Sequence, residues 1–191
     1  MRFTKIAEDA FKKLQLNAGM LLDDFDPETA EVDLTKIVGA TTGGVNFKAT
    51  PTFSDYGEDV DNVPNNMLEF KKLSMWEVLL SGTFVTVDAE SAKRLIGAAD
   101  IEGNKITPRN DLKTEDFKDI WWVGDYSDEN GEQTGGFIAI HMLNALSTAG
   151  FQIQSSKDAK GQFAFEFAGH YSLENQTQVP FEVYIKDGAT T

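Results

Sequence analysis

The sequence predicts a mainly β protein: an antiparallel β-sandwich or barrel with one flanking α-helix and a long protruding loop. Three observations support this. Segments rich in β-branched and aromatic residues alternate apolar with polar at 45–53, 75–88, 179–188 and, less strictly, 116–127, 135–147 and 161–173. That two-residue period puts successive side chains on opposite faces of a sheet. Turn-forming clusters, "DENGEQT" and "KDAK", separate the later segments into apparent hairpins. Helical spacing is confined to two short stretches. With no internal repeat, low-complexity tract or splitting linker, residues 1–191 are expected to form a single domain.

In chain order, 3–14 ("FTKIAEDAFKKL") places Phe3, Ile6, Ala7, Ala10, Phe11 and Leu14 at helical spacing, with a strand as the alternative from Phe11 onward. "GMLLDDF" reads as extended, and "DPET" as a turn with proline pre-setting φ. Gly39, Gly43 and Gly44 are expected to relax a turn or admit a second backbone. Residues 51–66, with two prolines and many acids, read as a long loop or protruding hairpin. The clearest strand is 75–88, with Trp76, Val78, Leu80 and Phe84 on one face. Asp88 then caps a helix over 89–97 that stops at Gly97. "NKITPRND" is an edge strand or loop, because Pro108 lacks a ladder donor. Two hairpins should follow, 116–127 with 135–147 and 151–156 with 161–173, before a last strand at 179–188.

Composition excludes several function classes. The absence of cysteine removes disulfides, thiolate metal sites, iron–sulfur clusters and cysteine nucleophiles. No apolar run approaches ~18 residues, so no membrane helix is expected, and "MRFTKIAEDAFKKL" does not read as a secretory signal. The 31 acidic against 17 basic residues, a formal charge of −14, oppose nucleic-acid binding through counterion release.

Each candidate chemical motif is outweighed by a plainer reading. Gly39 and Gly44 have phosphate-loop spacing, but Val45 and Asn46 stand where a lysine and a hydroxyl residue are needed, and a strand follows. Asp55, Glu58, Asp59 and Asp61 do not fit the ligand positions of an EF-hand. Glu77, Asp119, Asp125 and Glu166 could pair as acid and base beside Trp76, Trp121 and Trp122, as in glycoside hydrolysis. His141 and His170 lack a partner at metal-ligand spacing and read as satisfied or interfacial histidines. No catalytic residue, cofactor or metal is expected.

The apolar pattern points to self-association. Segments 76–87, 120–123 and 137–143 are apolar on both faces, and one short helix cannot cover them all. Trp76, Val78, Leu80, Trp121, Trp122, Phe137, Ile138 and Ile140 are therefore the residues expected to meet neighbouring copies.

Taken together, "GATTGGVNFKATPTFSDYGEDVDNVPNN", "WEVLLSGTFVTVD" and "DIWWVGDYSDENGEQTGGFIAIHMLNALSTAGFQIQSSKDAKGQFAFEFAGHYSL" resemble the major tail tube proteins of long-tailed phages and prophages of Gram-positive bacteria. The likeness runs over roughly residues 10–187 and lies in its extent, without a catalytic signature. The resemblance implies a structural subunit forming hexameric rings, stacked into a tube around a tape-measure protein and later serving as the conduit for DNA, which passes without specific binding. Tail initiator and terminator proteins are implied partners, with host cytoplasm as the place of assembly and the virion tail as destination. The family's inter-ring loop corresponds to residues 51–66, so Phe53, Asp55, Tyr56, Glu58, Asp59 and Asp61 become candidate inter-ring contacts; its flanking helix corresponds to 89–97. Rival readings are a carbohydrate-binding or glycoside-processing β-sandwich and the tube subunit of a related secretion machine or tail-like bacteriocin.

Overall fold

The alternating segments form ten strands in a computed structural model that describes residue 10, residues 14–127 and residues 133–188. They are β1 (Leu14–Gln15), β2 (Met20–Leu22), β3 (Thr41–Asp55), β4 (Lys71–Phe84), β5 (Ala99–Glu102), β6 (Lys105–Pro108), β7 (Lys118–Ser127), β8 (Gln133–Ser147), β9 (Phe163–Ala168) and β10 (Phe181–Lys186). The α-helix among the described residues is α1 (Ala89–Ile96). The helix expected over 3–14 lies outside the described residues, apart from Ala10 and from Leu14, which opens β1.

The path β1-β7-β8-β9-β4-β3 makes one antiparallel sheet, curled into a half-barrel; β2 joins β7 and β10 joins β8. The turn in the curl is made by β8. Its Phe137–Met142 half pairs with β10, whereas Leu146 and Ser147 pair with β9. Between them the ladder to β7 slips from Ile120↔Met142 to Lys118↔Ala145, and Asn144 takes φ 49°. An inserted residue bends a strand and raises its twist, and asparagine accepts the left-handed conformation that the bend requires.

Two apolar clusters sit on the two faces of β7 and β8. Inside the curl, Leu21, Val78, Leu80, Phe84, Ile120, Met142, Phe165 and Phe167 pack together, with Phe84 stacked on Phe165 at 4.3 Å. On the opposite face, Leu22, Phe25, Trp121, Val123, Phe137 and Ala139 form the second cluster. Adjacent Leu21 and Leu22 thus serve different clusters, as the strand period dictates. Phe25 closes the second face with edge contacts to Trp121 and Phe137, and Ala30 and Val32 pack beside it. The chain's own 22–32 segment roofs the face for which neighbouring copies were expected to be needed. Each fully buried Leu or Phe side chain there contributes about 1.5–3 kcal/mol.

Helix α1 has the expected ends. The Asp88 carboxylate accepts from the Ser91 backbone N–H at 2.8 Å, and Gly97, at φ 87°, donates its N–H to the Lys93 carbonyl. Leu95 and Ala92 face the core.

Of the two readings of 51–66, the protruding hairpin is the one formed: residues 51–55 belong to β3, and β4 starts at Lys71. Pro51 is tolerated because it stands opposite Trp76. The Trp76 N–H points away from β3 to Tyr171 Oη at 2.9 Å, so the Pro51 nitrogen also faces an open edge. Gly43 and Gly44, at φ 74° and 83°, form a bulge inside β3 instead of a turn before it. The second hairpin reduces to one bridge, Gln154↔Gln162. Phe165 and Phe167 are instead drawn into the core by inserting β9 between β4 and β8, while Phe151 and Ile153 stay exposed.

Candidate functional site

The β3–β4 hairpin outruns the body. β9 covers β4 only over Leu79–Phe84, so the part of the hairpin beyond Trp76 projects as an arm. Along β3 the core-facing positions Phe47 and Ala49 lie opposite Leu80 and Val78, and the series continues as Pro51 opposite Trp76. Beyond it, the register shift between Thr52 and Phe53 inserts Ser74, which brings Leu73 opposite Phe53. The extra residue restores parity: without it Ser74 would take that place. The apolar face of the core therefore runs on past the body as Phe53 and Leu73, which are 54% and 45% exposed. Tyr56, Val60, Leu68 and Phe70 add exposed apolar area at the tip.

One acid ties the two sides of the tip together. Asp55 accepts from the backbone N–H groups of Gly57 and Asn66, both at 2.9 Å, and so is engaged within the arm. Asp59, Asn62 and Asn66 adopt positive φ, as turn-forming Asx residues do. Of the six candidate inter-ring residues, Phe53, Tyr56, Glu58, Asp59 and Asp61 are exposed and Asp55 is half-buried.

The candidate inter-subunit strand residues divide differently. Val78, Leu80, Trp121 and Phe137 are buried inside one copy, so those side chains are already covered by the chain's own layers. Trp76, Trp122, Ile138 and Ile140 are half-buried. Trp76 packs on Phe181, and the Trp122 indole N–H donates to the Ala18 carbonyl at 3.0 Å. What the strands do leave available is backbone: β3 ends the sheet path and β10 pairs with β8 alone, so each has an outer edge unpaired within the described sheet. Val183 and Ile185 on β10 are 46% and 63% exposed.

At the sheet corner, both histidines find partners. Asp119 on β7 accepts from the Asn144 backbone N–H at 2.9 Å and lies 3.1 Å from His141 Nε2. His141 Nδ1 lies 3.7 Å from the Glu182 carboxylate, which accepts from Tyr184 Oη at 2.6 Å. The His141 ring stacks on Trp121 at 3.9 Å and 6°. His170 Nδ1 meets the Asn144 carbonyl at 3.1 Å. His141 beside it and the Asn144 N–H hold the Asp119 carboxyl below its usual range against the opposing effect of burial. The hydrogen bond to Glu182 raises the Tyr184 phenol. The expectation of satisfied histidines holds. The link from Asp119 to His141 was missed, although the 116–127/135–147 hairpin, once its register is known, sets Trp121 opposite His141.

The four candidate acid–base carboxylates do not converge. Asp119 serves His141 and Asn144, Glu166 accepts from Thr148 Oγ1 at 2.9 Å, and Glu77 and Asp125 lie on other parts of β4 and β7. No group of three metal-ligating side chains occurs among the described residues. Beside α1, a groove of ≈ 200 Å³ is lined by charges of both signs, including Asp23, Asp88, Lys93, Arg94, Asp116 and Lys118. Its ion pairs are structural: Arg94 binds Asp23 and the Asp119 carbonyl. Arg109 grips Asp116 with two hydrogen bonds, 2.6 and 2.8 Å, from one guanidinium nitrogen. Burial pushes the Asp116 carboxyl up, but the Lys113 N–H and Arg109 together bring it below its usual value.

No family model matches the chain, and no curated protein matches it in sequence. Among solved structures, it is similar to a chain of the "Virion of native gene transfer agent (GTA) particle", at 10% identity and a TM-score of 0.43, covering 81% of this chain and 92% of that one. No helix among the described residues is long and apolar enough to cross a membrane.

Proposed function

We propose that the protein is a virion structural subunit, and specifically the tail tube protein of a long-tailed phage or prophage, assembling as stacked hexameric rings. The observation that supports this best is the arm, whose apolar strip of Phe53 and Leu73 continues the core face into solvent. Exposed apolar area of this kind marks association. The open outer edges of β3 and β10 supply main-chain groups through which sheets of adjacent copies pair, and ring closure leaves no free edge. In this reading the arm seats one ring on the next, and the strongly acidic chain keeps DNA from adhering to the bore. Tape-measure, initiator and terminator proteins are the partners, the cytoplasm the site of assembly, and no catalytic step is involved.

Negative-stain micrographs of the concentrated protein test the proposal. Rings or tubes are expected, and the Phe53→Ser/Leu73→Ser double variant should remain folded but fail to stack. Particles that stay monodisperse at every concentration and in the presence of an initiator complex, with tryptophan fluorescence that responds to added glycans, would overturn it.

A further inference from the structure

The corner cluster contains a geometry that no assembly role requires. Trp121, His141 and Glu182 stand in one cross-strand row on β7, β8 and β10, because Trp121 and Glu182 are each the register partner of His141. The imidazole is thereby placed between two carboxylates, Asp119 at 3.1 Å from Nε2 and Glu182 at 3.7 Å from Nδ1. A neutral imidazole carries one N–H and can donate to one of them only, leaving a lone pair directed at the other. An imidazolium carries an N–H on each nitrogen, so it can donate to Asp119 while its charge faces Glu182 as an ion pair at 3.7 Å.

We propose that His141 is a protonation-controlled clamp on β10: the charged ring ties Glu182 to Asp119 across β8, and the neutral ring releases Glu182. The groups that bear on the ring come from each neighbouring element. β7 contributes Asp119 and Trp121, β10 contributes Glu182 and Tyr184, and Arg94 of α1 donates to the Asp119 backbone oxygen. β10 is where such a clamp has leverage, since among the described residues β8 is its sole ladder partner and its outer edge is unpaired. The clamp is closed while the ring carries both protons and opens when it loses one. Both carboxylates are part-exposed, 43% and 41%, so the effect is modest and weakens with salt.

The test is made on the full-length monomer and so does not depend on tube formation. Hydrogen-exchange protection factors of the β10 amides, corrected for intrinsic exchange, are compared at about pH 5.5 and about pH 8.5, on either side of the ordinary histidine range. Protection is expected to fall about fivefold, the scale of a part-exposed charge pair, while the β3–β4 amides inside the body change little. His141→Gln, which can still donate to Asp119, should remove the pH dependence. Unchanged β10 protection in the wild type, or the same dependence in His141→Gln, would overturn the proposal. Should that variant fail to fold, Glu182→Gln decides: loss of the dependence supports the clamp, and its retention refutes it.

Discussion

The body of the molecule and the β3–β4 arm obey the same alternating pattern, but the pattern does different work in each. In the body, Val78, Leu80 and Phe84 face Ile120, Met142, Phe165 and Phe167, and all are buried. On the arm, the same face of the same two strands continues as Phe53 and Leu73, which no described part of the chain buries. Two bulges mark the ends of the difference, one at Gly43 and Gly44 and one at Ser74. Both leave side-chain parity intact where it matters. An apolar residue therefore stabilises one copy if the curl closes over it and is left for a contact between copies if it does not.

The sharpest way to break this comparison is to truncate the body. Phe84→Ala should lower the free energy of unfolding by about 3–5 kcal/mol in urea denaturation, since a stacked, fully buried ring leaves a cavity. Phe25→Ala is expected to cost about 3 kcal/mol by the same measurement and to expose Trp121, visible as a red-shifted emission. A loss near zero would mean that the 22–32 segment does not close the second face. Asp88→Ala should cost about 1 kcal/mol through the lost helix cap.

Acid titration acts on the body. Asp88, Asp116 and Asp119 all have folded-state carboxyls held below their ordinary range. Their contribution is present above the unfolded pKa of about 3.9 and is lost as pH falls through the lower folded values. Stability should thus be flat with respect to these groups above about pH 5 and decline below about pH 4. The Asp116→Asn variant should show a shallower decline. At the small end, Phe53→Ser and Leu73→Ser should each alter monomer stability by no more than about 0.5 kcal/mol, because exposed positions lose little. If they destabilise the monomer as much as Phe84→Ala does, the arm belongs to the core and the comparison fails.

Particular elements show how far the sequence could be read. Asp88 and Gly97 delimited α1 because caps are local chemistry, satisfied within four residues. The β7–β8 pairing was equally legible, since the two strands follow one another in the chain; the turn expected between them, residues 128–132, lies outside the described residues. The 151–156 segment misled because its alternation was sound but its partner was not local: Phe165 and Phe167 gain more by entering the core between β4 and β8 than by pairing with Ile153. The roof over Trp121 and Phe137 was invisible for the same reason, as Phe25 lies some hundred positions from the face that it covers. The exposed arm residues were named from a resemblance, and nothing in their alternation distinguishes Phe53 from Phe47.

By itself the sequence determined the strand and helix vocabulary, the anionic surface, and the lack of cysteine chemistry, all of which depend on residue type and short-range period. Only the tertiary structure decided which apolar faces close within one copy, which continue bare along the arm, and how His141 comes to lie between Asp119 and Glu182. The reason is that burial and charge pairing are set by which strands become neighbours, and that choice is made by the whole chain competing for one core.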